Sequence, residues 1–324
     1  TPLRFASSLP AALSTDPERP LMIWAGSESD EAAREVHVQN RKILRVEDGF
    51  LRSRGLGADL IPPLSLVCDD LGIYYDSRHA SRLERLISAS PDLPDHAIER
   101  AAQLRQSIIR RGITKYNLRQ DKVDLPGDGR ERILVVGQVE DDASILSGAS
   151  DFRTNEELLT AVRADFPDAF LIYKSHPDVS AGLRPQGEIS TQAADLVLDE
   201  VDPADLLCEV DRVCTITSLL GFEALLREVP VSCYGAPFYA GWGLTDDRAT
   251  VPLRRKSGPS LDGLVHAALI AYPRYHDPVT SLPCPPEIAV LRLTSGEIPS
   301  PGIRNRFLSK LQGLLAGYAH LWRR

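Results

Sequence analysis

The sequence predicts an α/β protein, and three observations lead to this prediction. In the second half of the chain, short apolar runs alternate with segments that have helical spacing of their apolar residues. That alternation is typical of a parallel sheet covered by helices on both faces. The stretch 121–130, DKVDLPGDGR, is rich in charge, Pro and Gly and indicates a break between domains. The 324 residues, 43% hydrophobic and 25% charged, are enough for two globular domains.

The predicted organisation has four parts. Residues 1–20, rich in Ser, Ala and Pro, are predicted to be a linker. Residues 21–125 and 130–278 are predicted to be an N-terminal and a C-terminal domain, followed by an extension over residues 279–324. The elements predicted for the first domain are strands 21–25, 43–46, 64–68 and 73–75 and helices 81–89 and 94–111. Those predicted for the second are strands 133–137, 169–174, 195–198, 212–216 and 231–234 and helices 155–166, 203–209, 219–227 and 261–272.

Composition and motifs argue against several classes of protein. The formal net charge of −8 disfavours nucleic-acid binding, which needs a basic face. The five cysteines form no CxxC pair, so we expect reduced thiols and no zinc site. No serine-hydrolase elbow, Walker loop or complete GxGxxG motif occurs in the sequence. No apolar stretch is long enough to span a bilayer.

Four predicted strands of the second domain end in polar or glycine-rich loops. These loops are 138–142, 174–177, 217–218 and 235–243. Because ligands of open parallel sheets bind beyond the carboxyl ends of the strands, we expect the four loops to border one site.

Adjacent acids make up the first pair of candidates. Asp141 and Asp142 follow a predicted buried strand, although acids on loops are usually only solvated. A carboxylate at such a position can act as nucleophile or general base, and retaining sugar transfer needs one that attacks the anomeric carbon. In the first domain, Glu47 and Asp48 stand at the end of a predicted strand, just before Gly49.

Basic residues suggest where an anionic substrate would bind. Lys174 and His176 would neutralise a nucleotide phosphate, or His176 is merely a loop residue fixed by Pro177. Arg52 and Arg54 would hold an anionic sugar, or are surface arginines of a turn.

The start of predicted helix 219–227 is a further candidate. Thr217 and Ser218 precede it, and Ser218 either caps the helix or helps its free N–H groups to bind phosphate. Gly221 would allow a ligand or a strand to approach closely. Glu223 would accept hydrogen bonds from ribose hydroxyls, or is an exposed helix residue.

The C-terminal stretch 304–324 has five Lys or Arg, no acid, and apolar residues at helical spacing. It is predicted to be an amphipathic helix that either lies on an anionic membrane surface or packs on the domain.

Several long segments resemble the KpsC-type capsule polysaccharide β-Kdo transferases, where Kdo is 3-deoxy-D-manno-oct-2-ulosonic acid. The resemblance runs from about residue 21 to residue 278, and the C-terminal module of such proteins is the more similar one. The first residue, Thr1, is not Met, which would fit an excised module. The segments are RVEDGFLRSRGLGADLIPPLSLVCDDLGIYYD (45–76), ITKYNL (113–118), VVGQVEDDASI (135–145), YKSHPDV (173–179), TSLLGFEALL (217–226) and YGAPFYAGWGLTDD (234–247).

This resemblance implies a GT-B-like fold, in which two Rossmann-like domains face a cleft. It implies a retaining enzyme that moves Kdo from CMP-β-Kdo to a Kdo-terminated capsule glycolipid through a covalent Kdo–enzyme intermediate. The N-terminal domain would hold the acceptor and the C-terminal domain would hold CMP-Kdo. The enzyme would act in the cytoplasm, peripherally on the inner membrane and near capsule assembly or export proteins.

The resemblance also assigns roles to residues. The family's QxxxD motif falls on Gln138 and Asp142, which makes Asp142 the candidate nucleophile and Asp141 its neighbour. The HP motif falls on His176 and Pro177, and Ser218 matches the start of a phosphate-binding helix. Glu47 and Asp48 match an EDG motif whose acid would deprotonate the acceptor. Ser175 departs from the usual YKPHPDV pattern, with little expected effect.

Some alternatives stay open at this point. A nucleotide-sugar epimerase on the same scaffold would need no lipid acceptor, and a non-catalytic scaffold of the export machinery would need no acids. The intact set of acids and His176 favours an enzyme. No metal-ligand cluster is evident, so we expect no cofactor or metal, and similarity to the C-terminal module favours a β2→7 over a β2→4 linkage.

Overall fold

The computed structural model describes residues 4–298 except residues 17, 29–35, 37–39, 56–60, 118–122, 128 and 181–189. A π-helical turn, His266–Ala271, continues the helix Leu261–Val265. In chain order the elements are α1 (Leu9–Leu13), β1 (Leu21–Trp24), β2 (Ile43–Asp48), β3 (Ser65–Asp69), α2 (Arg82–Ala89), α3 (Asp95–Arg110), β4 (Arg132–Val136), α4 (Ala143–Gly148), α5 (Asn155–Asp165), β5 (Phe170–Lys174), α6 (Pro177–Ser180), β6 (Leu196–Leu198), α7 (Pro203–Glu209), β7 (Arg212–Thr215), α8 (Leu219–Leu226), β8 (Val231–Cys233), β9 (Asp246–Asp247), α9 (Leu261–Val265), β10 (Pro273–Asp277), β11 (Leu282–Cys284) and α10 (Pro286–Ser295).

The second sheet has the order β6-β5-β4-β7-β8-β9, and all of its pairs are parallel. β4 shows why a near-continuous apolar run suits this position. Its residues Ile133 and Val135 belong to one hydrophobic cluster, and Leu134 and Val136 belong to another on the opposite face. The predicted parallel sheet with two covered faces is therefore confirmed.

The first sheet has the order β1-β2-β3-β10-β11, and only β1 and β2 are parallel. The prediction of a Rossmann-like N-terminal domain is therefore wrong. β2 and β3 are joined without a crossover helix among the described residues, so β3 runs back antiparallel to β2.

The strand predicted over residues 73–75 is also wrong. The backbone there forms turns, and the apolar character of the segment has another cause. Tyr74 packs its ring against Phe50 and Phe238, with centroid distances of 4.9 and 6.0 Å. These rings lie where the two sheets meet, which is a buried environment outside any strand.

One predicted boundary moves. The C-terminal domain was predicted to end at residue 278, but β10 pairs with β3 of the first sheet, with Pro273 opposite Val67. A strand that begins with Pro and contains Arg, His and Asp has little apolar signal, and Tyr275 is its one large buried side chain. Helix α9 precedes it and already packs against α3. The chain therefore returns to the first unit, which comprises the first sheet with α2, α3, α9 and α10. The second unit comprises the second sheet with α4 to α8.

The N-terminal end of the chain differs from the prediction, and the C-terminal end lies outside the described residues. The predicted linker 1–20 contains helix α1, and the guanidinium of Arg41 donates to the carbonyl oxygens of Leu13 and Arg19 at 3.2 and 2.9 Å. These hydrogen bonds attach the segment from Leu13 to Arg19 to the first unit. The predicted basic helix 304–324 lies outside the described residues. Within the described part, no helix combines the length and the hydropathy that crossing a bilayer requires.

A buried ion pair joins the two units. Glu84 of α2 accepts hydrogen bonds from Arg255 and Arg254, each at 2.7 Å, and the Glu84 and Arg255 side chains are 6% and 1% exposed. Arg255 also donates to the carbonyl oxygens of Pro237 and Ala240 in the loop that follows β8. The loop is thereby held against the first unit.

Replacing Glu84 by Ala should lower the free energy of unfolding by about 3 kcal/mol or more, because Arg255 would keep a buried charge without its partner. Urea denaturation of the purified variant measures this loss. The matched control is Glu287→Ala, which removes an exposed ion pair with Arg100 and should cost less than about 1 kcal/mol. Equal, small losses in both variants would contradict the assigned role of the buried pair.

Candidate active site

A cavity of about 310 Å³ lies between the two units, beyond the carboxyl ends of β4, β5 and β7. The first unit supplies the end of β2 and the segments 74–75 and 114–116. The lining residues are Glu47, Asp48, Tyr74, Tyr75, Thr114, Lys115, Tyr116, Val136, Gly137, Gln138, Val139, Asp142, Ala143, Ser144, Lys174, Ser175, His176, Pro177, Asp178, Pro203, Thr217, Ser218, Leu219, Leu220, Glu223, Pro237 and Phe238.

Most of the residues predicted to form the site line this cavity, although they come from loops up to about 180 residues apart in the chain. Asp141, Arg52, Arg54 and Gly221 do not line it, and Asp141 is exposed. Those that do are Glu47, Asp48, Gln138, Asp142, Lys174, His176, Pro177, Thr217, Ser218 and Glu223.

Asp142 is the N-cap of α4, a helix that the sequence did not predict. Its Oδ1 accepts a hydrogen bond from the N–H of Ser144 at 2.8 Å, and its own N–H donates to the carbonyl oxygen of Val139 at 3.0 Å. Its Oδ2 accepts no hydrogen bond from the part of the chain that the structure describes. The carboxylate is thus oriented through one oxygen, and the second oxygen remains available for chemistry.

Gln138 positions its neighbours. Its buried side-chain amide donates to Oγ1 of Thr217 at 3.0 Å and accepts from the N–H of Thr217 at 2.9 Å. Thr217 Oγ1 donates in turn to Oγ of Ser144 at 3.2 Å. This network fixes the loop after β4, which carries Asp142, relative to the loop after β7. The geometry therefore favours a positioning role for Gln138 over the predicted catalytic one.

Another wall of the cavity is electropositive. Lys174 is buried at the end of β5, and burial lowers its pKa although Asp199, Asp202 and Glu223 oppose that effect. The backbone N–H of Asp178 donates to Nδ1 of His176 at 3.1 Å, so the proton of a neutral imidazole is on Nε2. Nε2 can then donate to an anion.

Ser218 caps α8, with its Oγ accepting from the N–H of Leu220 at 3.2 Å. The interpretation of Ser218 as a helix cap is therefore confirmed. Ser218 also lines the cavity, so the positive end of that helix borders the site, and phosphate binding there stays a prediction. Lys174, His176 and the start of α8 form one electropositive wall.

The first unit contributes acids. Burial raises the pKa of Glu47 to about 7, and the carboxylates of Asp48 and Asp142 push it in the same direction, while Lys115 opposes them. Asp48 forms a close ion pair with Arg52. Glu47 can therefore exchange a proton near neutral pH.

The roles predicted for Arg52 and Arg54 are not supported. The buried guanidinium of Arg52 is held by Asp48, by Oγ of Ser53 at 2.8 Å and by the carbonyl oxygen of Ile61 at 3.1 Å. Arg54 lies against the end of α10, where a Cβ at Gly296 would be 2.6 Å from its Nη1. Both arginines have structural contacts, and neither lines the cavity.

Packing explains why position 221 is a glycine. A Cβ at this position would lie 2.9 Å from Cζ of Tyr239 and 3.0 Å from Cγ2 of Thr215, and closer still to the Tyr239 hydroxyl. The Tyr239 hydroxyl donates to the carbonyl oxygen of Ser218. The small residue therefore lets Tyr239 pack on the first turn of α8, and Gly221 does not line the cavity.

Glu223 is buried, contrary to its interpretation as an exposed helix residue. Its Oε1 accepts from the backbone N–H of Lys115 at 2.7 Å, and burial raises its pKa to about 7. It connects α8 of the second unit with the segment 113–117 of the first.

Some cavity residues were not predicted from the sequence. The most informative is Lys115, within the ITKYNL segment that was noted only as part of the resemblance. A lone Lys between aromatic and polar residues has no distinguishing pattern in one sequence. The others that bring polar or aromatic groups are Tyr74, Tyr75, Thr114, Tyr116, Ser144, Ser175, Asp178 and Phe238. Among the described residues, no group of three or more His, Cys, Asp or Glu is arranged to hold a metal ion.

The sequence matches the family described as capsule polysaccharide biosynthesis protein over residues 21–120 and 96–275. It is 46% identical over 261 residues to the lipopolysaccharide-processing protein LpsZ of Rhizobium meliloti, covering 78% of this chain and 59% of LpsZ. The chain spans 40–59% of the length of the curated relatives it matches.

Two solved structures of KpsC from Thermosulfurimonas dismutans are similar. The β Kdo 2,4 transferase has a TM-score of 0.75 at 35% identity, covering 84% of this chain and 86% of that one. The β Kdo 2,7 transferase has the same TM-score at 33% identity, covering 91% of each chain. The resemblance to KpsC-type proteins is confirmed. The similarity does not separate the two linkages, so the preference for 2→7 stays a prediction.

Gly221→Ala should lower the free energy of unfolding by about 1–3 kcal/mol, because the added methyl group meets Tyr239 and Thr215 in a packed interior. Urea denaturation measures the loss. Gly127→Ala is the control, since Gly127 is exposed and a Cβ there has only Arg132 at 3.9 Å; it should change stability by less than about 0.5 kcal/mol. A harmless Gly221→Ala would show that the space at this position is needed for something other than Tyr239.

Proposed function

Because this chain belongs to the capsule polysaccharide biosynthesis family and is similar in structure to KpsC, we propose that it is a retaining β-Kdo transferase. It would move Kdo from CMP-β-Kdo to a Kdo-terminated capsule glycolipid. The two units on either side of one cleft would form a GT-B-like arrangement, with the donor held by the second unit and the acceptor by the first.

One observation carries the proposal. A single cavity brings together Asp142, the acids at the end of β2, and a cationic wall made by Lys174, His176 and the start of α8. A nucleophilic carboxylate, a group that titrates near neutral pH and a phosphate-binding wall are the groups that double displacement on a nucleotide sugar needs.

In the first step, Oδ2 of Asp142 attacks the anomeric carbon of Kdo. The bond between that carbon and the phosphate oxygen breaks, and CMP leaves with the electron pair. Lys174, His176 and the N–H groups at the start of α8 neutralise the charge that develops on the phosphate. Glu223 is near enough to the same wall to accept hydrogen bonds from the ribose.

In the second step, an acceptor hydroxyl attacks the same carbon from the face that CMP has left. The ester bond to Asp142 breaks, and the hydroxyl proton passes to Glu47 and then to solvent. Two inversions give net retention. Since protein groups supply the positive charge at the phosphate, we propose that the reaction needs neither metal nor cofactor.

Mixing the protein with CMP-Kdo in EDTA, without acceptor, should produce a Kdo-sized mass adduct that intact-protein mass spectrometry detects. Asp142→Asn should form no adduct and should slow transfer at least about 10³-fold, because the attacking oxygen is lost. The matched control is Asp141→Asn, one residue away but outside the cavity lining, which should form the adduct normally.

Two results would contradict this prediction. An adduct on the Asp142→Asn protein would place the nucleophile elsewhere. CMP-Kdo that remains unconsumed by the wild-type protein, even with a Kdo-glycolipid acceptor present, would reject the transferase activity and favour a non-catalytic scaffold.

The transfer step should depend on pH through Glu47. A base must be ionised to accept a proton, and the pKa of Glu47 is raised to about 7. The rate of transfer from the preformed adduct should therefore fall about tenfold per pH unit below pH 7 and level off above it. Stopped assays on the isolated adduct measure this step alone.

Glu47→Gln provides the control for this pH profile. It should slow transfer by about 10²–10⁴-fold and remove the inflection, while leaving adduct formation unchanged. A wild-type profile that is flat across the neutral range, or an inflection that survives in Glu47→Gln, would assign the base to another residue.

A further inference from the structure

The proposed donor raises an electrostatic difficulty. The anomeric carbon of Kdo bears a carboxylate, and the nucleophile that attacks this carbon is also a carboxylate. Two like charges brought this close in a partly dehydrated cavity repel strongly. A cation within reach of both groups would offset this repulsion, and the charge of the electropositive wall already faces the phosphate.

Few residues of the cavity lining can supply this cation. Among the residues lining the cavity, the basic ones are Lys115, Lys174 and His176. Lys174 and His176 follow β5 and form the phosphate wall together with the start of α8. Neither of the two arginines first considered for the sugar carboxylate lines the cavity: Arg52 is already paired with Asp48, and Arg54 lies against the end of α10. Lys115 is the cation that remains.

Lys115 lies in the field of the catalytic acids. Burial by itself would lower its pKa, but Tyr116, Asp48 and Asp142 outweigh that effect and the pKa is raised, so the side chain is an ammonium ion at neutral pH. Its Nζ lies 5.1 Å from the centroid of the Tyr116 ring. Within the described part of the chain it forms no ion pair with a carboxylate, so its charge can be offered to a ligand.

The main chain around Lys115 is fixed from both units. Its N–H donates to Oε1 of Glu223 at 2.7 Å, and its carbonyl oxygen accepts from the N–H of Ser53 at 3.2 Å. The side chain of Asn117 donates to the carbonyl oxygen of Ser53 at 2.9 Å. Because Lys115 is anchored through its backbone, the base of its side chain is fixed at the cavity, and the side chain can be changed without removing these bonds.

We propose that Lys115 binds the carboxylate of the donor sugar and so selects donors whose anomeric carbon carries an acid group. This inference rests on the proposed function and adds the residue that distinguishes a sugar acid from a neutral sugar. By pairing with that carboxylate, Lys115 also reduces the repulsion that Asp142 meets as it attacks.

The test separates binding of the sugar from binding of the nucleotide. In an Asp142→Asn background, which cannot turn over the donor, calorimetry gives the affinities for CMP and for CMP-Kdo. Adding Lys115→Met should weaken the affinity for CMP-Kdo by about 10- to 100-fold, as expected for a lost charge-assisted contact. It should change the affinity for CMP by less than about twofold. Lys115→Arg should restore part of the CMP-Kdo affinity. The control is Lys256→Met, an exposed lysine outside the cavity.

Adduct formation by otherwise wild-type protein gives the second measurement. Lys115→Met should slow it, because this step involves the donor alone. Equal weakening of CMP and CMP-Kdo would overturn the inference, as would normal adduct formation combined with slow transfer, which would assign Lys115 to the acceptor. If the wild-type protein neither binds CMP-Kdo nor forms an adduct, the proposed function itself fails. If it does both and Lys115→Met behaves identically, only the role of Lys115 fails.

Discussion

The buried pair between Glu84 and Arg255 is the constraint on which the site depends. Neither charge could remain in that environment alone, since the cost of an unpaired buried ion is several kcal/mol. Arg255 also holds the carbonyl oxygens of Pro237 and Ala240, and Pro237 and Phe238 line the cavity. One ion pair therefore sets how the loop after β8 meets the first unit, and with it the shape of the cleft. Hydrogen bonds from Arg105 of α3 to the carbonyl oxygen of Leu226 and to the carboxylate of Glu228 support the same junction.

The distribution of charge in the cleft follows from the topology. The second sheet is parallel, so its strand ends and one helix start converge on one edge and form a wall suited to a nucleotide phosphate. The first sheet directs the end of β2 at the same space and adds Glu47 and Asp48. Segment 113–117 lies between them, and Glu223 connects it to α8. Neither unit alone contains both the phosphate wall and the proton acceptor, so the proposed reaction requires the two units to be closed on each other.

Several residues that a motif would call functional have structural contacts that favour a supporting role. Gln138 ties two loops together, Arg52 holds Asp48, and Gly221 makes room for Tyr239. Their spacing relative to the acids looks the same in the sequence whether they contact a substrate or only orient the residues that do. Burial and hydrogen-bond partners distinguish the two cases. Conversely, Lys115 has no pattern of its own in the sequence, and it becomes noticeable only because the fold brings it near Asp48 and Asp142.

From the sequence alone, the periodicity of apolar residues determined the α/β class and nearly all of the second sheet, because each of those elements is encoded by its own local pattern of burial. The motifs likewise determined Asp142, Lys174, His176 and Ser218 as candidates, since each lies at the carboxyl end of a strand of that sheet or within a few residues after it. Only the tertiary structure decided that the chain returns through β10 to a mostly antiparallel first sheet. It also decided that Arg52 is paired with Asp48, whereas Lys115 forms no ion pair with a carboxylate among the described residues. These outcomes depend on contacts between residues far apart in the chain, because such contacts determine which charges are paired. The local sequence pattern does not encode this pairing.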